Sequence, residues 1–261
     1  MIEISASIVL YKNDLSVLER TISNFLETNL NVRLYLIDNS PTDCLKLLVN
    51  DKRITYLHNP INPGFGAAHN MAIIESYKLN SQYHLVLNPD IYFETGTLEK
   101  IFYFMNENKF IGQLMPKVLF PDGSFQFLCK TNPTVFDLFL RGFLPPAIKN
   151  LFKNRINKYE YRNHDLNKII YDIPYLSGCF MFFRSEILKK VGFFDEKIFM
   201  YLEDADITRR ILNYSTTVYY PEVVIYHHHA ALTHKSLKYK LITINSAIIY
   251  FNKWGWFKSL F

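Results

Sequence analysis

The 261-residue chain has few cysteines, little excess charge and no long apolar run, and each shortage removes a class of protein. The three cysteines, Cys44, Cys129 and Cys179, are odd in number and far apart, and no C-x-x-C occurs. That argues against a disulfide framework or a zinc–thiolate site and fits a reducing cytosol. No stretch reaches the roughly 18 consecutive apolar residues of a bilayer-crossing helix. The opening Met-Ile-Glu-Ile enters an apolar run at once, without the basic start and small-residue cleavage site of a signal peptide. Lys plus Arg exceed Asp plus Glu by 29 − 24 = 5, too little to imply a nucleic-acid partner.

What is present describes a globular chain. Apolar residues make up 49% and charged residues 20%, which excludes disorder and fibrous repeats. Aromatics are abundant, with 22 Phe and 18 Tyr, enough to fill the core of one large α/β domain. No internal repeat or linker divides the chain.

Periodicity alternates in the first half. Short apolar runs at 4–11, 34–37, 54–57 and 84–87 read as strands, and segments 15–26, 67–77 and 98–105 as helices. Strands separated by helices predict a parallel sheet covered on both faces. The second half is less regular. Residues 120–124 read as a hairpin turn, and 133–168 as short helices with a mobile loop. Residues 173–183 read as a strand broken at Ser177-Gly178. A helix at 205–213, a strand at 223–226 and a last helix at 237–251 follow.

Two aspartates stand at carboxyl ends of predicted strands, Asp38 after Leu34–Ile37 and Asp90 after Leu87-Asn88-Pro89. Ligand crevices of open α/β sheets lie outside such ends, although either residue alone could serve only a turn. Asn62-Pro63-Gly64-Phe65-Gly66-Ala67-Ala68-His69 enters a helix and could offer N–H groups to a phosphate. It is neither G-x-G-x-x-G nor a P-loop, and taken alone it reads first as a plain helix-entry turn. Glu203, Asp204 and Asp206 follow an aromatic-apolar run. They could be first-turn acids favoured by the helix dipole, or a cluster with raised pKa suited to general-base work. In His227-His228-His229, strand alternation puts His227 and His229 on one face and His228 on the other.

Taken in order, these pieces resemble glycosyltransferase family 2, and within it the bacterial rhamnosyltransferase-like branch. The resemblance is carried by residues 8–13, Asp38-Asn39-Ser40, Asn62-x-Gly64-Phe65-Gly66 and Leu87-Asn88-Pro89-Asp90. It continues through 176–180, Gly192-Phe193-Phe194-Asp195-Glu196, Glu203-Asp204-x-Asp206-Ile207-x-x-Arg210, and Pro221 followed by His227. It implies a GT-A fold: one Rossmann-like, mostly parallel α/β sheet with flanking helices and an acceptor-binding C-terminal half. The expected division is a nucleotide-binding half over about 1–110, an acceptor and catalytic half over about 111–235, and a C-terminal helix over about 236–261.

By the same resemblance, Leu10, Tyr11, Asp38, Asn62, Gly64, Gly66, Asn88 and Asp90 line the donor pocket. Asp90 and His227 hold a divalent cation, Mg²⁺ or Mn²⁺, on the donor diphosphate, and Asp204 is the catalytic base. Ser177, Gly178, Asp195, Glu203, Asp206 and Arg210 support it or the acceptor. Asn88 stands where the usual Asp-x-Asp has its first carboxylate, and a neutral amide is a poorer ligand for a hard cation.

The implied reaction is inverting transfer of L-rhamnose from a dTDP-sugar to a lipid-linked saccharide of a bacterial cell-surface polysaccharide such as O-antigen. It would take place at the inner face of the cytoplasmic membrane. A UDP-sugar donor or a catalytically silent glycan- or nucleotide-binding module is the alternative. Paired carboxylates would also serve a glycoside hydrolase, but that chemistry needs no strand-end Asp38 and Asp90. A nucleotide-sugar-forming nucleotidyltransferase would carry a glycine- and basic-rich loop after the first strand, which is missing here. Basic residues interleaved with aromatics at 149–162 (with Phe152, Tyr159 and Tyr161) and at 235–258 (with Trp254, Trp256 and Phe257) could meet anionic lipid, or could form a solvated basic face with the aromatics packed inward. Any further C-terminal acceptor or membrane element of longer relatives is expected to be missing.

Overall fold

The computed structural model describes residues 2–228 and 237–257. The strands are β1 (Ile4–Leu10), β2 (Val32–Asp38), β3 (Ile54–His58), β4 (Tyr83–Leu87), β5 (Ile91–Phe93), β6 (Ile111–Leu119), β7 (Cys129–Lys130), β8 (Ile170–Tyr171), β9 (Tyr175–Leu176), β10 (Phe180–Arg184) and β11 (Thr216–His227). The helices are α1 (Leu15–Leu26), α2 (Phe65–Lys78), α3 (Thr97–Glu107), α4 (Val135–Phe143), α5 (Pro146–Leu151), α6 (Lys153–Tyr159), α7 (Ser185–Val191), α8 (Glu203–Ile211) and α9 (Leu237–Trp254).

The main sheet has nine strands in the order β3-β2-β1-β4-β10-β6-β11-β5, with β8 also paired to β11. β3, β2, β1 and β4 are mutually parallel, β10 runs antiparallel between β4 and β6, and β11 is parallel to β6. A separate ladder pairs β7 with β9. The predicted α/β architecture is thus present, with the parallel block in the first half.

β1 shows why this sheet is buried on both faces. Ile4, Ala6, Ile8 and Leu10 enter the largest apolar cluster, with Leu18, Ile22 and Phe25 of α1. Ser5 and Ser7 point the other way, towards α2, and are also wholly buried. Their hydroxyls are matched to two buried histidines. Ser5 Oγ lies 2.8 Å from His84 Nδ1, and Ser7 Oγ lies 3.0 Å from His84 Nε2 and 2.7 Å from His69 Nδ1. A buried polar group is tolerated when it is paired in this way. At the helix start, Asp14 caps α1 by accepting from Ser16 and Val17 N–H.

The second half departs from its sequence reading in length and number of strands. β6 is not legible in the sequence because Gly112, Gln113, Pro116 and Lys117 interrupt its apolar pattern, yet it pairs along most of its length with β11 and at Gln113 and Leu114 with β10 as well. β11 spans twelve residues rather than 223–226. Its register shifts between Tyr220 and Val224, around Pro221, where the backbone lacks an N–H. The turn at 120–124 closes with Phe120 N–H donating to Ser124 C=O and one bridge between Leu119 and Phe125. Residues 135–159 form three short helices, the first opened by a Thr134–Asp137 capping box.

Candidate active site

The strand-end positions converge at one edge of the sheet. Leu10 and Asp38 are register partners at the ends of β1 and β2, and the Leu10 carbonyl accepts from Asn39 N–H at 2.9 Å. Asp38 is fully buried. Its Oδ1 accepts from Ser40 N–H at 2.8 Å and its Oδ2 from the Tyr56 hydroxyl at 2.6 Å. Asn39 Nδ2 donates to Asn62 Oδ1 at 3.3 Å, while the buried Asn39 Oδ1 has no partner. Tyr11 lies exposed beside this corner.

The Asn62–Gly66 loop earns its glycines by close approach. Gly64 has φ +103°, and a Cβ there would stand 2.3 Å from the Phe199 carbonyl oxygen; a Cβ at Gly66 would stand 2.8 Å from Phe194 Cβ. Phe65 N–H donates to that same Phe199 carbonyl at 2.8 Å. The loop is thereby fastened to the 194–199 segment that leads into the acidic helix.

Asn88, Asp90 and His227 meet where the link from β4 to β5 reaches the end of β11, with Ile91 the register partner of His227. His227 Nε2 is 3.3 Å from Asp90 Oδ1 and 3.4 Å from Asn88 Nδ2. The tautomer follows from Gln126, a residue the sequence reading missed. Gln126 Nε2 donates to the His227 carbonyl at 2.7 Å, so its Oε1 is the atom 2.9 Å from His227 Nδ1. An amide oxygen can only accept, so Nδ1 carries the proton. In the neutral ring Nε2 then turns a lone pair towards the Asp90 carboxylate. A lone pair and an anion side by side, with the imidazole oriented from behind, are the donor set a divalent cation prefers. Asp90 and His227 therefore fit a cation that takes its remaining ligands from a diphosphate. No group of three or more His, Cys, Asp or Glu side chains suited to a metal occurs among the described residues. His228 is exposed and tilted against Tyr92, as the alternation requires; His229 lies outside the described residues.

α8 begins at Glu203, two residues before its predicted start, which sets Asp204 in its first turn. Asp204 Oδ2 accepts from Gly178 N–H at 2.8 Å and from the Tyr175 hydroxyl at 3.3 Å, and Oδ1 accepts from Ala205 N–H at 2.9 Å. A Cβ at Gly178 would meet Asp204 Cβ and Oδ2 at 3.4 Å, an ordinary contact, so the approach does not depend on glycine there. Burial raises the Asp204 pKa, while the Lys130 ammonium and these three donors pull it back. Glu203 is equally buried but its Oε2 has no partner. Burial, then the neighbouring Asp204 charge, pushes Glu203 well above the carboxylate range. The two carboxyls are thus driven apart: Glu203 keeps a proton and Asp204 is the better anion.

Lys130 and Tyr175, also unforeseen, pair across the β7–β9 ladder. The Lys130 Nζ stands 4.6 Å from the Tyr175 ring centroid. Its burial lowers the amine to about 8. Tyr175 precedes the Ser177-Gly178 break by two residues, the only hint the sequence offered. Ser177 itself is half-buried and its N–H donates to Leu128 C=O.

The remaining acids of the motif are structural anchors. Asp206 is wholly buried and accepts from Arg210 Nε at 3.0 Å, Trp254 Nε1 at 2.8 Å and Lys253 Nζ at 2.8 Å. Arg210 also reaches the carbonyls of Val191 and Phe193. Asp195 closes its own turn on Lys197 N–H and meets Lys253 Nζ. These contacts tie α8 to α9 and to the preceding loop.

The two halves of the site share one backbone. Asn88 N–H donates to the Cys179 carbonyl at 2.9 Å, and the adjacent Gly178 N–H holds Asp204. Asn88, two residues before Asp90, and Asp204 thus both bond the 178–179 backbone, and the charges of Asp90 and Asp204 both act on Cys179.

Comparison with known proteins shows the family and the fold. A family model described as glycosyl transferase family 2 matches residues 6–192. An N-acetylglucosaminyl-diphospho-decaprenol L-rhamnosyltransferase of Mycobacterium tuberculosis is 26% identical over 228 residues, covering 83% of this chain and 73% of that protein. The low-salt glycan biosynthesis hexosyltransferase Agl10 of Haloferax volcanii is 24% identical over 212 residues, with 80% and 61% covered. Among solved structures, the mannosyltransferase PcManGT from Pyrobaculum calidifontis, in complex with GDP-Man and Mn²⁺, superposes with a TM-score of 0.63 at 13% identity. That likeness covers 96% of this chain and 63% of the mannosyltransferase, so the chain spans less than two thirds of its length.

Proposed function

The chain belongs to glycosyl transferase family 2, and from that footing we propose that it transfers L-rhamnose, with inversion, from a dTDP-sugar to a hydroxyl of a lipid-diphosphate-linked saccharide in bacterial cell-surface polysaccharide synthesis. The sugar and the lipid-linked acceptor are suggested by the mycobacterial relative, whose name states both. The observation that supports the reaction type is that Asp204 and the strand end carrying Asn88 and Asp90 meet at the same 178–179 backbone.

In this reading Asp204 takes the proton of the attacking hydroxyl. Three donors hold its carboxylate in place, which keeps it in one orientation. Glu203, kept protonated, adds no second negative charge beside it. Asp90 and His227 would hold the divalent cation, with Gln126 fixing the imidazole. A cation bound there would offset the negative charge that grows on the departing diphosphate. Leu10, Tyr11, Asp38, Asn39 and Asn62 form the corner assigned to the nucleoside, where the unpartnered Asn39 Oδ1 is ready to accept from a base or ribose. Gly64 and Gly66 keep that corner against the acidic loop.

The test is a panel of nucleotide sugars offered with a synthetic lipid-diphosphate-linked N-acetylglucosamine acceptor, in Mg²⁺, Mn²⁺ or chelator. Mass spectrometry should show one deoxyhexose added to the acceptor from the dTDP donor and none with chelator. Free sugar without acceptor modification, or no turnover with any donor, would sink the assignment.

A further inference from the structure

α9 has two faces that need separate explanations. One is clamped to the body: Ser246 Oγ donates to the Met200 carbonyl at 2.7 Å, Trp254 reaches Asp206, and Tyr250 and Phe251 pack with Leu202 and Ala205. The other carries Leu237, Leu241, Ile244 and Ile248, spaced four, three and four apart, all solvent-exposed. Such spacing puts them in one stripe along the helix. Leu241 is 58% exposed, and Trp256 and Phe257 continue the apolar surface beyond the helix end. No structural need of the described body requires four aliphatic residues in water.

The neighbouring segment repeats the feature. Leu138 of α4 packs against the cluster that holds Tyr175, Leu202 and Ala205 together with Tyr250 and Phe251 of α9. The outer side of α4 exposes Val135, Phe136 and Phe139, and α5 exposes Ile148 and Leu151. Of the aromatics first weighed as lipid contacts, Tyr159 is buried, Phe152 packs on Phe136 and Trp254 bonds Asp206, while Trp256 and Phe257 are exposed.

Charge decides between occupants. α9 contains no acid; Lys238 and Lys240 stand near its start, while Lys253 is bound to Asp195 and Asp206 on the clamped side. In residues 133–162 the only acids, Asp137 and Glu160, are buried and paired to Arg155, Arg141 and Arg162. Lys153 and Lys158 remain exposed on the same segment. A second copy docked through the α9 stripe would set lysines against lysines, with no carboxylate on that helix to pair them. An apolar stripe on a helix whose charged residues are all cations suits an anionic bilayer surface.

We propose that the outer face of α9, with the exposed residues of α4 and α5, is a docking surface for anionic phospholipid bilayers. Aliphatic side chains enter the headgroup boundary and the flanking lysines meet lipid phosphate. This deepens the functional reading by naming the surface that brings a lipid-linked acceptor to α8. Vesicle binding is measured without turnover, so either proposal can fail while the other stands.

The experiment is co-sedimentation of the full chain with phosphatidylcholine vesicles, with and without phosphatidylglycerol, alongside analytical ultracentrifugation of the free protein. Binding should need the anionic lipid and weaken about fivefold for each of Lys238→Gln and Lys240→Gln, and it should fall with salt. Leu241→Glu combined with Ile244→Glu should abolish binding while leaving the circular dichroism and the turnover of a water-soluble acceptor unchanged. In the wild-type chain, brominated phosphatidylglycerol should quench the exposed Trp256. Equal partition onto neutral vesicles, unchanged binding of the double variant, absence of quenching, or a dimer dispersed by Leu241→Glu would each overturn the proposal.

Discussion

Replacing each of the two adjacent buried carboxyls by its amide should give opposite results. If Asp204 is the base, Asp204→Asn loses the 10²–10⁴-fold that a positioned base contributes, about 2.7–5.5 kcal/mol of barrier. The structure adds a second cost. Asp204 offers an acceptor oxygen to Gly178 N–H and another to Ala205 N–H, whereas an asparagine has one oxygen and one NH₂. Whichever way the amide turns, one buried N–H faces a donor, at about 1–3 kcal/mol. The melting temperature should therefore fall, by about 2–4 °C for each kcal/mol in a chain of this size. Glu203→Gln is the internal control. Glu203 is held protonated and its Oε2 is unpartnered, so a neutral amide changes little. Turnover at neutral pH should stay within a few-fold of wild type. The assays are product formation by mass spectrometry, donor affinity by calorimetry, and thermal unfolding of both variants. Near-normal turnover of Asp204→Asn, or equal damage from Glu203→Gln, would refute the division of roles.

Three further outcomes follow from the same contacts. Burial raises the Asp204 pKa, so kcat/KM should fall as pH drops through a value above the ordinary aspartate range; Lys130→Met removes the compensating cation and should move that limb upward, with Lys130→Arg restoring it. Gln126→Leu should lower divalent-cation affinity in the presence of donor about 10–100-fold, read by titration calorimetry, because His227 loses the acceptor that orients it. His84, buried and uncharged, has its pKa lowered to about 3 by desolvation. The unfolded chain therefore binds the extra proton first, and stability should fall by about 1.4 kcal/mol per pH unit as pH drops from about 6.5. Denaturant midpoints between neutral pH and pH 5 measure this, and a flat profile would contradict it.

The chain order of apolar runs and turns was enough to read the parallel block and the helices around it, because Ile4–Leu10, Val32–Asp38 and Tyr83–Leu87 are almost wholly buried strands bounded by clear turns, with the half-buried Ile54–His58 at the end of the sheet. The motif acids were legible too, since Asp38 and Asp90 follow such strands and Asp204 opens a helix. Sequence could not sort the acids by role. Asp204 and Asp206 are two residues apart and chemically identical, yet one meets Gly178 and Tyr175 while the other is locked between Arg210, Lys253 and Trp254. A helix turns 100° per residue, so two positions on point to nearly opposite sides, and only packing says which side is the cleft. Gln126, Lys130 and Tyr175 had no local signal, because their partners lie 101, 45 and 29 residues away along the chain. Sequence by itself determined which chemical groups are available and which elements carry them. The tertiary structure decided which groups face one another, because pKa, tautomer and accessibility depend on neighbours that only the folded chain brings together.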